Sequence, residues 1–142
     1  MTIAIINGPN LNLLGTREPE IYGSTGFDTY LKELQAAFPA ETLSYFQSNV
    51  EGEIIDALHR ARTQAGAVIL NAAGYTHTSV AIGDAVKAIG IPVVEVHISN
   101  VFAREEFRHR SFIAPHAIGV ICGLGLSGYN LAIQFLSDKF GK

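Results

Sequence analysis

The run AVIL at Ala67–Leu70 passes without a break into NAAGYTHTS at Asn71–Ser79, and this junction decides the fold. Consecutive apolar residues, two of them β-branched, predict a strand covered on both faces, as parallel strands are. The polar stretch that follows predicts that the carboxyl end of the strand opens onto something other than core. The same junction recurs on either side. TIAII at Thr2–Ile6 runs into NGPN at Asn7–Asn10, and PVVEV at Pro92–Val96 runs into HISN. Thr42–Phe46 and Ala117–Cys122 complete five predicted strands, and the apolar AIGVI of the last predicts the same two-sided burial.

Helical patterns fill the gaps. Phe27, Tyr30, Leu31, Leu34 and Phe38 fall on one stripe, with Thr25 and Asp28 as its capping box. Ile54, Ile55, Leu58 and Ala61 repeat the pattern, and Gly66 follows as the stop. A third helix runs from Ser79 to Ile89, closed by Gly90 and Pro92, and a fourth spans Ser127–Phe140. This alternation predicts an α/β fold: a flavodoxin-like, doubly wound five-stranded parallel sheet in the order 2-1-3-4-5, with helices on both faces. No linker or repeat interrupts it, so residues 1–142 read as a single domain.

The composition agrees with a packed core: of 142 residues 48% are hydrophobic and 16% charged. A net charge of −3 gives no electrostatic case for nucleic acid or an anionic membrane as partner. No apolar run approaches the ~20 residues needed to span a bilayer. The amino terminus opens directly into TIAII, without the pattern of a leader, so a cytoplasmic location is expected. The one cysteine, Cys122, lies in an apolar run and reads as a small buried side chain.

Sheets of this order bind ligands beyond the carboxyl ends of their strands, where strand order reverses. Strands 1, 3 and 4 are neighbours there, which predicts a site around Asn7, Asn71 and His97. The loop after strand 1 is about twenty residues long, against the two to six usual for such a connection. It carries Arg17 and Tyr22 between Gly15 and Gly23, which could act as hinges. It is either a plain surface loop or a binding segment that closes over the strand ends. His97 stands two residues beyond Glu95 on the same strand face, so the carboxylate could orient and charge the imidazole. A purely structural histidine competes with that reading, but Asn10, Asn71, His77 and Ser99 at the adjoining strand ends weigh against it. The charged segment REEFRHR at Arg104–Arg110 is a solvated face or, beside strand 4, a source of an arginine for a substrate carboxylate.

Several familiar patterns fail in context. Gly123, Gly125 and Gly128 match GxGxxG, but no further strand or acidic residue follows at the right distance, so close helix–strand packing explains them better. The five histidines lack HExxH or paired Cys/His spacing. There is no GxSxG elbow. Lys32, Lys87, Lys139 and Lys142 fall in helices or at the terminus, not at a strand end where a Schiff-base lysine belongs. A non-catalytic binding or receiver module would need an acidic cluster or a phosphate cradle after strand 1, and NGPN supplies neither. What remains is a tyrosine, an arginine and a histidine among amide side chains. That set suits proton abstraction beside a carbonyl followed by loss of a hydroxyl. Only roughly one phenol in a thousand is ionised at neutral pH, and a guanidinium beside it removes part of that handicap. A histidine can then protonate the leaving oxygen.

Four motifs in order, INGPNLNLLGTREPEIYG at Ile6–Gly23, ILNAAGYTHTSVAIGDA at Ile69–Ala85, EVHISN at Glu95–Asn100 and REEFR at Arg104–Arg108, closely resemble the type II 3-dehydroquinate dehydratases, and GLGLSGY at Gly123–Tyr129 extends the match. The resemblance implies a cofactor-free, reversible anti elimination of water from 3-dehydroquinate through an enolate, in the shikimate pathway or in quinate catabolism. It implies Tyr22 as the base at C2, Arg17 as the group that lowers its pKa, and His97 as the acid for the C1 hydroxyl with Glu95 behind it. Asn10 would hold the water at the enolate oxygen. Asn71, His77 and Arg108 would bind the substrate hydroxyls, and the Ile98 backbone with Ser99 would grip the carboxylate. Asp84 would act across a trimer contact, four trimers forming a homododecamer. Phe102 and Arg110 stand where the family often has histidines, outside the catalytic set.

Overall fold

The apolar runs do become strands, and they lie side by side. The computed structural model describes residues 1–16 and 26–141. Five strands, β1 (Thr2–Asn7), β2 (Thr42–Gln47), β3 (Ala67–Asn71), β4 (Val93–His97) and β5 (Gly119–Cys122), form one sheet in the order β2-β1-β3-β4-β5, every pairing parallel. The helices are α1 (Phe27–Ala37), α2 (Glu51–Gln64), α3 (Val80–Ile89) and α4 (Ser127–Phe140). The fold class and strand order are those read from the sequence. Every residue of β3 and β4 is buried, as strands with helices on both faces require.

The inner strands send alternate side chains to two separate cores. Ile3, Ile5, Ile69, Val94 and Val96 pack with Phe27 and Leu34 of α1 and with Tyr129, Ile133 and Leu136 of α4. Ala4, Ile6, Val68, Leu70 and Val93 pack with Ile54 and Leu58 of α2 and Ile82 and Val86 of α3 on the other face. At ~25 cal/mol per Å² of apolar surface buried, these two layers are the main force holding the strand ends in place.

The helix ends show which local signals were sufficient. Ser79 accepts a hydrogen bond from the Ile82 N–H at 2.9 Å and starts α3, and left-handed Gly90 ends it. Gly26 stands at the N-cap of α1 without a side-chain cap, and Thr25 of the expected capping box lies outside the described residues. Gly66 does not take the left-handed form expected of a helix stop. Ala65 leaves α2 in an extended conformation, and the Gly66 N–H bonds the Thr2 carbonyl, because the chain goes straight back into the sheet.

Two expectations for the last strand are corrected. β5 is not covered on both faces: Gly119 and Val120 are exposed, and Val120 keeps 49% of its surface. Among the described residues, only one side of β5 has a neighbouring strand, and α4 covers one face of it. Cys122 is accordingly half-exposed and not buried. Of the glycines after β5, only Gly128 acts as read; Gly123 and Gly125 take left-handed backbone, and a Cβ at Gly125 would meet nothing within 4 Å. A Cβ at Gly128 would lie 3.3 Å from the Val96 Cγ1, so α4 packs on the sheet at that point. Among the described residues, no helix is long and apolar enough to cross a membrane.

Candidate active site

Parallel registration sets Asn7 directly beside Asn71, where β1 and β3 end together. The chain then leaves both strands at close quarters. The Gly8 N–H bonds the Asn71 carbonyl at 2.7 Å, and a Cβ on Gly8 would fall 2.6 Å from the Ala72 carbonyl oxygen, so no other residue fits there. Two non-glycine residues, Asn10 (φ 70°) and Ala73 (φ 51°), take the left-handed conformation at these exits. Such backbone is strained and concentrates at functional sites. Between the exits of β1, β3 and β4 lies a cleft of about 140 Å³. Among the described residues it is lined by Asn10, Asn71, His77, His97, Ile98, Ser99, Arg104 and Arg108, with Pro9, Leu11, Leu14 and Val101 supplying apolar wall.

The floor is a hydrogen-bonded chain of polar side chains with almost no access to solvent. Tyr129 of α4, fully buried, donates its hydroxyl to the Asn7 Oδ1 at 2.7 Å and accepts from the Asn71 Nδ2 at 3.0 Å. The Asn71 Oδ1 in turn accepts from the Ala73 N–H at 3.1 Å. Asn7 continues the chain to the Tyr45 hydroxyl at 3.4 Å. Burial holds the Tyr129 phenol far above its usual pKa, so it stays a neutral donor. Asn7 is therefore a structural floor residue, while the Asn71 amide has its orientation fixed and one N–H and one lone pair still to offer.

A buried histidine–carboxylate pair stands on β4. His97 and Glu95 point to the same side, and the His97 Nε2 lies 2.5 Å from the Glu95 Oε2. Both are almost completely buried, with 6% and 1% of their surface exposed. The second carboxylate oxygen, Oε1, accepts from the Ser111 hydroxyl at 2.8 Å. With Nε2 committed to Glu95, Nδ1 is the ring nitrogen left for a substrate. The His77 ring stacks near His97, with centroids 6.1 Å apart. The His77 Nδ1–H donates to the Arg110 carbonyl at 2.7 Å. Burial holds its pKa below the ordinary value and His97 and Arg108 add to that, against the carbonyl bond, so His77 is a neutral ring with Nε2 as acceptor at neutral pH.

The remaining wall is cationic. The Arg104 Nη1 donates to the Ser99 hydroxyl at 3.2 Å. The Arg108 Nε reaches both oxygens of Glu105 at 3.2 Å, and its guanidinium lies over the Phe107 ring. That ion pair is exposed and contributes little to stability, so Arg108 can exchange it for an anionic or hydroxyl ligand at small cost. Asn10 is held by its backbone: its N–H donates to the Asn49 Oδ1 at 3.0 Å, and Gln47 ties Asn49 to the Gly8 carbonyl.

Asn10, Asn71, His77, His97, Ile98, Ser99 and Arg108 thus surround one cleft, with Glu95 behind His97. Asp84 does not join them; it sits on the exposed side of α3. Arg17 and Tyr22 lie outside the described residues. Residue-by-residue reading missed Tyr129, Ser111 and Arg104 as members of the site. Tyr129 and Ser111 are tied to their partners over 58 and 16 positions, a separation that leaves no local pattern to find. Arg104 stood in the charged segment without a mark to single it out. Among the described residues, no group of three or more His, Cys, Asp or Glu side chains is placed to hold a metal ion.

A family model described as Dehydroquinase class II matches residues 1–137. A curated 3-dehydroquinate dehydratase of Afipia carboxidovorans is 52% identical over 144 residues, covering 99% of this chain and 95% of that protein. One from Acinetobacter baumannii is 52% identical over 141 residues, covering 97% and 93%. Among solved structures, the type II dehydroquinase of Butyrivibrio crossotus superposes with a TM-score of 0.93 at 42% identity, covering 96% of this chain and 97% of that one.

Proposed function

The chain belongs to the class II dehydroquinases, and from that premise we propose how its residues divide the work. It is a type II 3-dehydroquinate dehydratase, a hydro-lyase of the shikimate pathway, and its reaction removes water from 3-dehydroquinate to give 3-dehydroshikimate. The roles that follow are the reading this site supports best. Tyr22, as phenolate beside Arg17, takes the C2 proton, and the electron pair left behind forms an enolate with the C3 carbonyl. Asn10 holds the water that hydrogen-bonds the enolate oxygen. The enolate then collapses: C1–O breaks, the oxygen takes a proton from the His97 Nδ1 and leaves as water, and the C1–C2 double bond completes the conjugated enone. Throughout, the Nε2–H of His97 stays on Glu95, which orients the ring and keeps one tautomer after transfer.

The substrate fits the wall by chemistry. Asn71, His77 and Arg108 meet its hydroxyls, and Ser99 with the Ile98 backbone meets its carboxylate, beside the Arg104 cation. Asp84 serves a site only if a second chain brings it there, which favours assembly into trimers and, with them, a dodecamer. A cytoplasmic location and a single domain over residues 1–142 belong to the same reading.

The observation that carries this reading is the buried His97–Glu95 pair opening its free nitrogen onto a cleft walled by amides and cations. The test is a pair of treatments. Tyr22→Phe should abolish turnover while substrate still binds by calorimetry, and near-normal turnover removes Tyr22 from the role of base. Borohydride added with substrate should leave activity intact; inactivation would revive a lysine Schiff base.

A further inference from the structure

Ser111 lies on the connection between β4 and β5, outside the cleft and sixteen positions from Glu95. Its hydroxyl has three partners. The Ile113 and Ala114 N–H groups both donate to its oxygen, at 3.1 and 2.9 Å, where the chain enters the short turn Ala114–His116. With its acceptor capacity filled by two backbone donors, the hydroxyl hydrogen has one place to go, the Glu95 Oε1 at 2.8 Å. The segment around it is fixed. Ile113 is fully buried in the core shared with α3, the Phe112 N–H bonds the Thr76 carbonyl at 2.9 Å, and Gly83 of α3 packs against the Phe112 carbonyl. Both oxygens of Glu95 are therefore held, one by His97 and one by Ser111.

We propose that Ser111 is a positioning residue for the dehydration, which through Glu95 fixes both the orientation and the charge felt by His97. A hydroxyl donated to a buried carboxylate spreads its charge and lowers its basicity. Held at Oε1 by Ser111 and at Oε2 by His97, Glu95 has its orientation and the charge it presents to the ring set by both contacts. Among the described residues, the other groups facing His97 are the stacked His77 from the β3 exit, Arg104 and Arg108 from the wall, and Cys122, its register partner on β5. Among the described residues only Ser111 bonds the Glu95 Oε1, so its effect can be read separately. The inference rests on His97 being the acid, and the experiment keeps the two apart.

The test is Ser111→Ala in the full-length enzyme, with Ser111→Thr as the variant that keeps the hydroxyl. The His97 ring is titrated by ¹⁵N NMR without substrate, and kcat and KM are measured across pH. In Ser111→Ala the His97 midpoint should move upward, the basic limb of kcat should follow it, and kcat at the optimum should fall about three- to ten-fold with KM nearly unchanged. Ser111→Thr should restore all three. A His97 midpoint that is unchanged or lowered overturns the proposal. If the midpoint rises while the kcat limb stays, the grip of Ser111 stands and it is His97 as the acid that fails. Should Ser111→Ala not fold, Ser111→Cys keeps the volume with a weaker donor, and there a smaller upward shift is expected and its absence is equally decisive.

Discussion

β4 and β5 are adjacent, parallel and in register, with Glu95 beside Val120 and His97 beside Cys122, yet they meet opposite conditions. β4 is buried along its whole length and carries the paired histidine and carboxylate of the site. β5 is apolar and partly open to solvent. The difference lies in what surrounds each strand, not in its own residues. β4 has a strand on either side, helix α4 on one face and the segment around Ser111 and Ile113 on the other, so a charged pair placed there is cut off from water and its partners are fixed. β5 has one strand neighbour and an uncovered face. Burial turns a carboxylate and an imidazole into a chemical device, whereas an apolar edge left open is a surface for association.

That contrast breaks most easily at β4. His97→Asn should lower kcat by about 10²–10⁴-fold, the range for loss of a positioned general acid, while circular dichroism shows an intact fold. A fall of less than about three-fold would make His97 structural and remove the distinction between the strands.

Tyr129→Phe tests the floor beneath the same site. It leaves the Asn7 Oδ1 and the Asn71 Nδ2 short of a partner in a dry setting, and should cost ~1–3 kcal/mol in denaturant unfolding, with a raised KM as the Asn71 amide loses its fixed orientation. Unchanged stability and KM would show that the relay is dispensable.

At β5 the expected result is reversed. Val120→Glu places a charge on the open edge and should change the folding stability of a single chain by only about 0.5 kcal/mol or less. If the chain assembles as proposed and this exposed apolar patch of Ile118, Val120 and Leu124 is part of the contact, sedimentation should show smaller assemblies than for the wild-type chain. The same assembly state in both would leave that surface without a partner.

The smallest effect belongs to His77. Its folded pKa lies below the unfolded value near 6.5, so the unfolded chain takes up the proton first. Its contribution to stability is complete above about pH 6.5 and is lost as pH falls from there toward the depressed folded value. His77→Gln should flatten that part of the stability–pH curve, measured by thermal melts between pH 5 and 7.5; an equally steep curve would mean that other groups set it.

The sheet was legible because its cause is local and repetitive: period-two and unbroken apolar runs alternating with 3.6-residue stripes admit few other arrangements. The strand ends were legible because a parallel sheet places a change from apolar to polar at one edge. The fate of β5 was not, since an apolar run records that a strand wants cover and says nothing of whether a helix provides it. Nor were Ser111 and Tyr129, whose roles depend on contacts across the fold. Asn7 marks the place of the site in sequence but reads as a shaper of the turn after strand 1, with Asn10 the better candidate for holding water, and the bond to Tyr129 gives Asn7 that structural part. The assignments of Tyr22 and Arg17 came from the family motif and not from spacing.

The most direct test of the central claim, that the buried pair on β4 serves elimination at this cleft, is the ultraviolet absorbance of purified protein mixed with 3-dehydroquinate. The conjugated enone of 3-dehydroshikimate should appear with the wild-type chain and be nearly lost with His97→Asn. An absorbance that stays flat with the folded wild-type protein, or that rises equally with both, would contradict the account.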